Sequence, residues 1–210
     1  MKIEPRFDRY IFIEKNPKRC SALEGLKSEF PNLSSDIIIK QGYANEQIQH
    51  ICSKDWRGHR AVLFLDPYGM QVKWKTIEAI AATKAIDLWI LFPDGIGVNR
   101  LTPQSGEVPD SWRTCLNELL GTEGWYKEFY YSMPSLFADD DPIMVKKGLE
   151  VIGNFFNDRL KSVFAGVAKR PAVLRNSRNK PLYLFCFAVG NERAVEPALK
   201  IADYILENVG

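Results

Sequence analysis

The sequence lacks the features that define several large classes of protein. It has only two histidines, and its four cysteines are scattered without a C-x-x-C pair, so no metal site is expected from this chain alone. No apolar run is long enough to cross a bilayer, and the phosphate-binding motif G-x-x-x-x-G-K-[ST] does not occur. A formal net charge of +2 argues against attraction of the whole surface to nucleic acid or anionic lipid.

The start of the chain also lacks a secretory pattern. Residues 1–6 are charged and include a proline, and no apolar signal region follows them. We therefore expect a cytoplasmic protein without membrane association, whose cysteines are reduced and mostly buried. With 210 residues, 46% of them apolar, the chain is long enough for one domain with its own core.

What is present, over the first half of the chain, is an alternation of strand and helix patterns. Short apolar or β-branched runs indicate strands, and apolar residues at spacings of three and four indicate helices. The predicted order is strand 8–14, helix 17–30, strand 36–40, helix 44–51, strand 60–66, helix 74–84 and strand 86–92. This order is typical of βαβ crossovers and predicts an α/β fold with an open, mostly parallel sheet.

The second half of the chain departs from this alternation. Residues 95–142 contain four prolines and many aromatics, which predicts a helical, aromatic-rich insertion whose rings from Trp112 to Phe137 form either core or an interface. The predicted elements that follow are a helix at 146–164, an antiparallel hairpin of strands 172–175 and 182–189, and a helix at 193–207. We expect all elements to belong to one domain spanning residues 1–210.

Two acids at predicted strand ends are candidates for ligand binding. Glu14 ends the first predicted strand, and doubly wound folds use an acid at a strand end to accept hydrogen bonds from ribose hydroxyls. Asp66 opens the sequence Asp66-Pro67-Tyr68-Gly69 after the third strand, at the edge where open α/β sheets bind ligands. The alternatives are a capping or surface role for Glu14 and a tight loop with a capping aspartate at Asp66.

Positive charge is concentrated in one segment. Residues 146–180 hold nine basic and two acidic side chains, a net of +7, which leaves −5 for the rest of the chain. Such a segment suits contacts with the phosphates of a nucleic acid. The alternative is a solvated helix face followed by a hairpin turn.

Several sequence blocks, taken in order, resemble one family. The blocks are FDRYIFIEKNPKRCSALEGL, QGYANEQI, AVLFLDPYGM and DLWILFPDGIGVNR. Their order and spacing are similar, from about Phe7 to Arg100, to those of the three-Cys-motif partner proteins of bacteria and phages. The strand at 182–189 and the helix after it resemble the closing elements of that family. The resemblance implies a Rossmann-like, methyltransferase-type sheet in which strands two to seven are present and the first strand is missing.

The resemblance also implies roles for individual residues. In amino-methyltransferases a motif related to the Asp66 loop holds the target amine, and its aromatic ring stacks on the base. The implied catalytic residues are Asp66, Pro67 and Tyr68, and the implied contacts to S-adenosylmethionine are Glu14, Lys15 and Asn45. The implied partner is a neighbouring protein with three cysteines of iron–sulfur type.

Two departures from the family pattern weaken the case for cofactor binding. The family usually begins with a helix, then a strand and a loop of the form D-G-F-A-G-P-G, a strand and loop that this sequence lacks, and it usually has an aspartate where Tyr43 stands. We therefore expect a degenerate methyltransferase-like scaffold that acts with a partner protein or with further copies of itself. The alternative is an S-adenosylmethionine-dependent methyltransferase acting on nucleic acid or a related substrate. A truncated reading frame, with the missing strand encoded upstream, would favour that alternative.

Overall fold

The structure of the chain, a computed structural model, describes residues 6–134 and 142–209. Its contacts divide the chain into two compact units, Met1–Lys54 and Asp55–Gly210. The prediction that residues 1–210 form a single domain is not tested by this division and stays a prediction.

The unit Met1–Lys54 is built on a pair of parallel strands. Its elements are β1 (Tyr10–Glu14), α1 (Pro17–Glu24), α2 (Leu26–Glu29), a 3₁₀ turn (Pro31–Leu33), β2 (Ile37–Gln41) and α3 (Ala44–Cys52). β1 and β2 pair in parallel along their full length of five residues each. The carboxyl ends of both strands therefore lie at the same edge.

The start of α1 follows from two residues. Asn16 is the N-cap, and its side-chain oxygen accepts hydrogen bonds from the backbone N–H groups of Lys18 and Arg19, while Pro17 occupies the first turn. The helix predicted from 17 to 30 is in fact two helices, because α1 ends at Gly25 and a short second helix follows.

The unit Asp55–Gly210 contains a five-stranded mixed sheet. Its elements are β3 (Ala61–Leu65), α4 (Trp74–Ala82), β4 (Ile86–Phe92), a π-helical turn (Asp94–Val98), α5 (Asn99–Leu101), α6 (Asp110–Leu120), α7 (Trp125–Phe129), β5 (Tyr130–Met133), β6 (Ile143–Lys146), α8 (Leu149–Lys161), β7 (Gly166–Val167), β8 (Ala172–Arg175), β9 (Pro181–Val189), a 3₁₀ turn (Glu192–Ala194) and α9 (Val195–Asn208). The strand order is β3-β4-β9-β7, and β8 also pairs with β9. β3 is parallel to β4, whereas β9 is antiparallel to β4, β7 and β8. The predicted α/β class, with parallel strands and a C-terminal antiparallel hairpin, is confirmed.

Aromatic side chains pack against the sheet of this unit. Phe156 of α8 stacks on Phe92 of β4 with ring centroids 3.9 Å apart and meets Trp74 of α4 edge-on at 6.5 Å. Elsewhere on the sheet Phe187 of β9 lies in a buried cluster with Leu206 of α9. None of the helices in the described ranges is long and apolar enough to span a membrane.

The insertion predicted at 95–142 is only partly helical. α6 and α7 are helices, and Trp125 and Phe129 are almost fully buried, so these rings belong to the core. β5, however, pairs antiparallel with β6, which the sequence did not predict. Because β6 ends at Lys146, the helix predicted from 146 to 164 runs instead from Leu149 to Lys161. Phe137, with the rest of 135–141, lies outside the described residues.

Candidate functional site

The carboxyl ends of β3 and β4 bring two short segments together. Leu65 lies opposite Ile90 in the parallel register, so the loop after β3 and the π-helical turn after β4 leave the same edge of the sheet. A Cβ atom added to Gly97 would lie 3.0 Å from Cγ of Met70, which shows that the loop and the turn are in contact. Open α/β sheets bind their ligands at this kind of edge.

The loop after β3 exposes two of the three predicted catalytic residues. Pro67 is buried, whereas Asp66 is exposed and Tyr68 is 89% exposed. No ion pair or hydrogen bond of the Asp66 carboxylate is found within the described residues. Asp66 and Tyr68 thus present a carboxylate and an aromatic ring to solvent on either side of the buried Pro67, and their catalytic role stays a prediction.

Asp94 is a second acid at this edge, and the sequence analysis missed it. It begins the π-helical turn, is only 3% exposed, and its Oδ1 atom has no hydrogen-bond partner among the residues that the structure describes. Burial raises the pKa of Asp94 to about 6, and the positive charge of Lys146 partly opposes this rise. A buried carboxyl group of this kind is an acceptor or a proton donor held in an apolar surrounding.

Lys146 anchors the β5–β6 hairpin next to this turn. Its ammonium group donates hydrogen bonds to the backbone oxygens of Asn99 and Thr102, at 3.0 and 2.7 Å, and to Asn99 Oδ1. Burial lowers the pKa of Lys146, and the charge of Asp94 partly restores it. The two charges therefore influence each other without forming a direct ion pair among the described contacts.

The segment 146–180, predicted to be a basic surface, is partly used inside the fold. Besides Lys146, Arg159 lies over the ring of Trp74 at 4.4 Å and donates to the carbonyl oxygen of Leu120 at 3.0 Å. The basic residues that remain exposed are Lys161, Lys169, Arg170, Arg175, Arg178 and Lys180. The basic side chains left exposed for contact with a nucleic acid therefore lie at the end of α8, between β7 and β8, and in the β8–β9 hairpin. The nucleic-acid interface itself stays a prediction.

The predicted cofactor residues all belong to the other unit, Met1–Lys54. Glu14 ends β1 and Lys15 follows it, while Asn45 lies in the first turn of α3, the helix that follows β2. The ammonium group of Lys15 lies 5.8 Å from the centroid of the Tyr43 ring. These residues occur at one edge of the β1–β2 pair, whereas Asp66, Pro67 and Tyr68 belong to Asp55–Gly210.

The carboxylate of Glu14 interacts with its own chain. Its Oε1 atom accepts a hydrogen bond of 2.8 Å from the backbone N–H of Asn16, and Oε2 lies 3.7 Å from the guanidinium of Arg19. The Asn16 hydrogen bond lowers the pKa of Glu14, and the charge of Arg19 adds to this effect. This geometry corresponds to the capping role that the sequence left open for Glu14.

Three of the four cysteines have a raised pKa, which is the opposite of what an activated thiol requires. Burial raises the pKa of Cys52 to about 11 and also raises the pKa of Cys115 and Cys186, and a thiol with a raised pKa is a weak nucleophile. Within the described residues, no group of three or more histidine, cysteine or acidic side chains is arranged to hold a metal ion.

Comparison with known proteins adds no assignment to this geometry. No protein-family model matches the chain, and no curated protein is significantly similar to it.

Proposed function

We propose that this chain is a degenerate methyltransferase-like scaffold that acts with a partner protein, a three-Cys-motif neighbour being the partner its sequence favours. The parallel pairs β1–β2 and β3–β4 are each compatible with neighbouring strands of a doubly wound sheet. β1 and β2 would correspond to strands two and three, and β3 and β4 to strands four and five. The closing strand β9 lies outside this parallel scheme, because it pairs antiparallel with β4.

The single observation that carries the proposal is that the carboxylate of Glu14 already interacts with groups of its own chain. A ribose-binding carboxylate accepts hydrogen bonds from two hydroxyl groups. In Glu14 the Oε1 atom already accepts from the Asn16 N–H and Oε2 lies 3.7 Å from Arg19, which leaves fewer acceptor sites for a ribose. Tyr43, which replaces the acid expected from the family, lies under Lys15, so the nearby charge is positive instead of negative. Both features favour a scaffold that has lost its cofactor over a working cofactor site.

Titration with S-adenosylmethionine tests the loss of the cofactor. We expect neither heat of binding nor a rise in melting temperature at millimolar ligand, since a ligand that binds only the folded state must stabilise it. The Glu14→Gln variant should behave like the wild type toward the ligand while losing the Arg19 ion pair. Saturable binding that Glu14→Gln abolishes would contradict the proposal.

Coexpression tests the partner. When the chain is produced together with the three-cysteine protein encoded beside it, the two should elute as one complex whose mass is the sum of both chains. Separate elution of two folded proteins over a range of concentrations would remove the support for this partner.

The exposed loop Asp66-Pro67-Tyr68 favours a second candidate, a methyltransferase acting on nucleic acid. A solvent-facing carboxylate at a strand end suits the binding of an amine, and the aromatic ring beside it suits stacking on a nucleobase. The exposed basic side chains near Arg175 suit contacts with phosphates. The test is transfer of a labelled methyl group from S-adenosylmethionine to DNA or RNA. If this second candidate function is correct, Asp66→Asn should abolish methyl transfer. Glu107 is an exposed acid of the same unit, and Glu107→Gln should leave methyl transfer unchanged.

A further inference from the structure

Strand β3 presents an open edge. Within the described residues it pairs only with β4, and the N–H of Ala61 donates to the carbonyl oxygen of Ala85 in that pairing. Because strand residues alternate in direction, Val62 and Phe64 turn their backbone groups away from β4. Their side chains are 52% and 55% exposed, so a free row of N–H and C=O groups is bordered by apolar side chains.

Nothing in the sequence of β3 protects this edge. Natural edge strands carry charged residues, prolines or bulges that prevent another strand from adding, whereas β3 reads Ala-Val-Leu-Phe-Leu and pairs with β4 in unbroken register. Phe64 also meets Phe185 of β9 edge-on, with centroids 6.1 Å apart. The apolar border thus continues onto the face of the sheet, where the apolar side chains of an added strand would pack.

We propose that β3 pairs antiparallel with β3 of a second copy of this chain, about a two-fold axis at Leu63. This register places Val62 opposite Phe64 of the other copy, so that each pair exchanges two backbone hydrogen bonds and shares its apolar border. The two five-stranded sheets become one continuous sheet. The inference goes beyond the proposed function and does not rest on it.

Charge complementarity selects this occupant and this register. Arg60 and Asp66 flank β3 at equal distances from Leu63, so antiparallel pairing places each Arg60 opposite Asp66 of the other copy, on the same face as Val62 and Phe64. Both residues are exposed, and neither forms an ion pair with any residue in the ranges 6–134 and 142–209. Within these ranges Arg60 donates only to the carbonyl oxygen of its neighbour His59. A parallel arrangement or a shifted register would not bring these opposite charges together.

Light scattering during size exclusion, over a series of concentrations, measures the assembly. The wild type should have twice the mass of one chain, and Phe64→Lys should have the mass of one chain because it places a charge on the open edge. Ile201→Lys is the matched control, since Ile201 is 62% exposed on α9, and it should remain dimeric. Melting curves establish that each variant is folded. A monomeric wild type, or a dimer that Phe64→Lys leaves intact, would overturn the proposal.

Charge exchange tests the register independently of the apolar contact. Arg60→Asp should raise the dimer dissociation constant about tenfold, because two cross-strand ion pairs become repulsive. Asp66→Arg should do the same, and the double variant Arg60→Asp with Asp66→Arg should restore the wild-type constant. Failure of the double variant to recover overturns the register. Protection of the β3 edge from hydrogen exchange that appears only in a complex with a different protein would overturn the dimer itself.

Discussion

Asp94 shows how burial of one carboxyl group affects the whole chain. Its pKa rises from 3.8 to about 6, so between these pH values the folded chain retains a proton that the unfolded chain has released. The free energy of unfolding therefore falls as pH rises through this window, by about 3 kcal/mol for two pKa units, and stays lowered above it. This is the reverse of the usual effect of an acid stabilised by an ion pair.

Replacing Asp94 with asparagine should remove this penalty. Asp94→Asn keeps the shape of the protonated acid but has no charge to bury, so the variant should gain stability over the wild type as pH rises from about 4 to about 6. Urea unfolding at several pH values measures the difference between the two curves. Ile152→Val, at a buried position of α8, is the control and should give a pH-independent difference because neither side chain titrates. Parallel curves for wild type and Asp94→Asn would show that the carboxyl group is not buried as described.

At this scale the sequence suggests candidates among exposed loop residues more readily than among buried ones. Asp66 and Tyr68 became candidates because a charged and an aromatic residue around a proline interrupt an apolar pattern, and their role stays a prediction. Asp94 also follows an apolar strand, but its importance arises from burial beside Lys146, 52 residues later in the chain. Likewise, Glu14 was recognised as a strand-end acid, but the contacts that occupy it come from the particular geometry of the α1 cap.

The end of α6 illustrates how a helix and its neighbour restrict one position. Gly121 follows the helix with φ +68°, in the left-handed region, and a Cβ atom there would overlap the indole of Trp74 at the start of α4. Trp74 has little freedom to move, because its indole N–H donates to Glu78 and its ring lies under Arg159. The glycine thus allows α4 and α6 to approach.

Gly121→Ala should therefore cost about 3 kcal/mol of unfolding free energy, from backbone strain and overpacking together. Gly58→Ala is the matched control, since Gly58 has a similar φ of +76° but no atom within 4 Å of the added Cβ. It should cost about 1 kcal/mol, the strain alone. Denaturant unfolding of both variants measures the difference, and equal losses would contradict the packing of Gly121 against Trp74.

Elements with a long apolar run were the most predictable. β4 occurs at 86–92, as predicted, because six of its seven residues are apolar and every second residue is buried between the layers of the fold. The pair β5–β6 was missed because each strand has only four residues, and neither shows a clear alternation. Pairing with a segment farther along the chain, and not local pattern, determines these strands.

For the molecule as a whole, the boundary between the two units should be the segment most susceptible to proteolytic cleavage. Residues 53–60 include exposed Lys54 and Arg57 at the boundary between Met1–Lys54 and Asp55–Gly210. Limited trypsin digestion should cut there first and leave a resistant fragment beginning at residue 55 or 58, because cleavage favours segments with few contacts. Mass spectrometry of the earliest fragments identifies the site. Early cuts throughout Asp55–Gly210 would show that this unit is not compact.

The position of β9 has a consequence for the way the protein is made. β9 joins β4 to β7 and β8, and Leu88 pairs with Ala188, 100 residues farther along the chain. While the chain emerges from a ribosome, β4 can therefore pair with β3 on one side only, and its other edge lacks β9 until about a hundred further residues have been translated. Contacts between such distant segments form slowly, and apolar strands exposed in the meantime are prone to wrong associations. Synthesis speed and chaperone supply should thus limit the yield of this protein more than its final stability does.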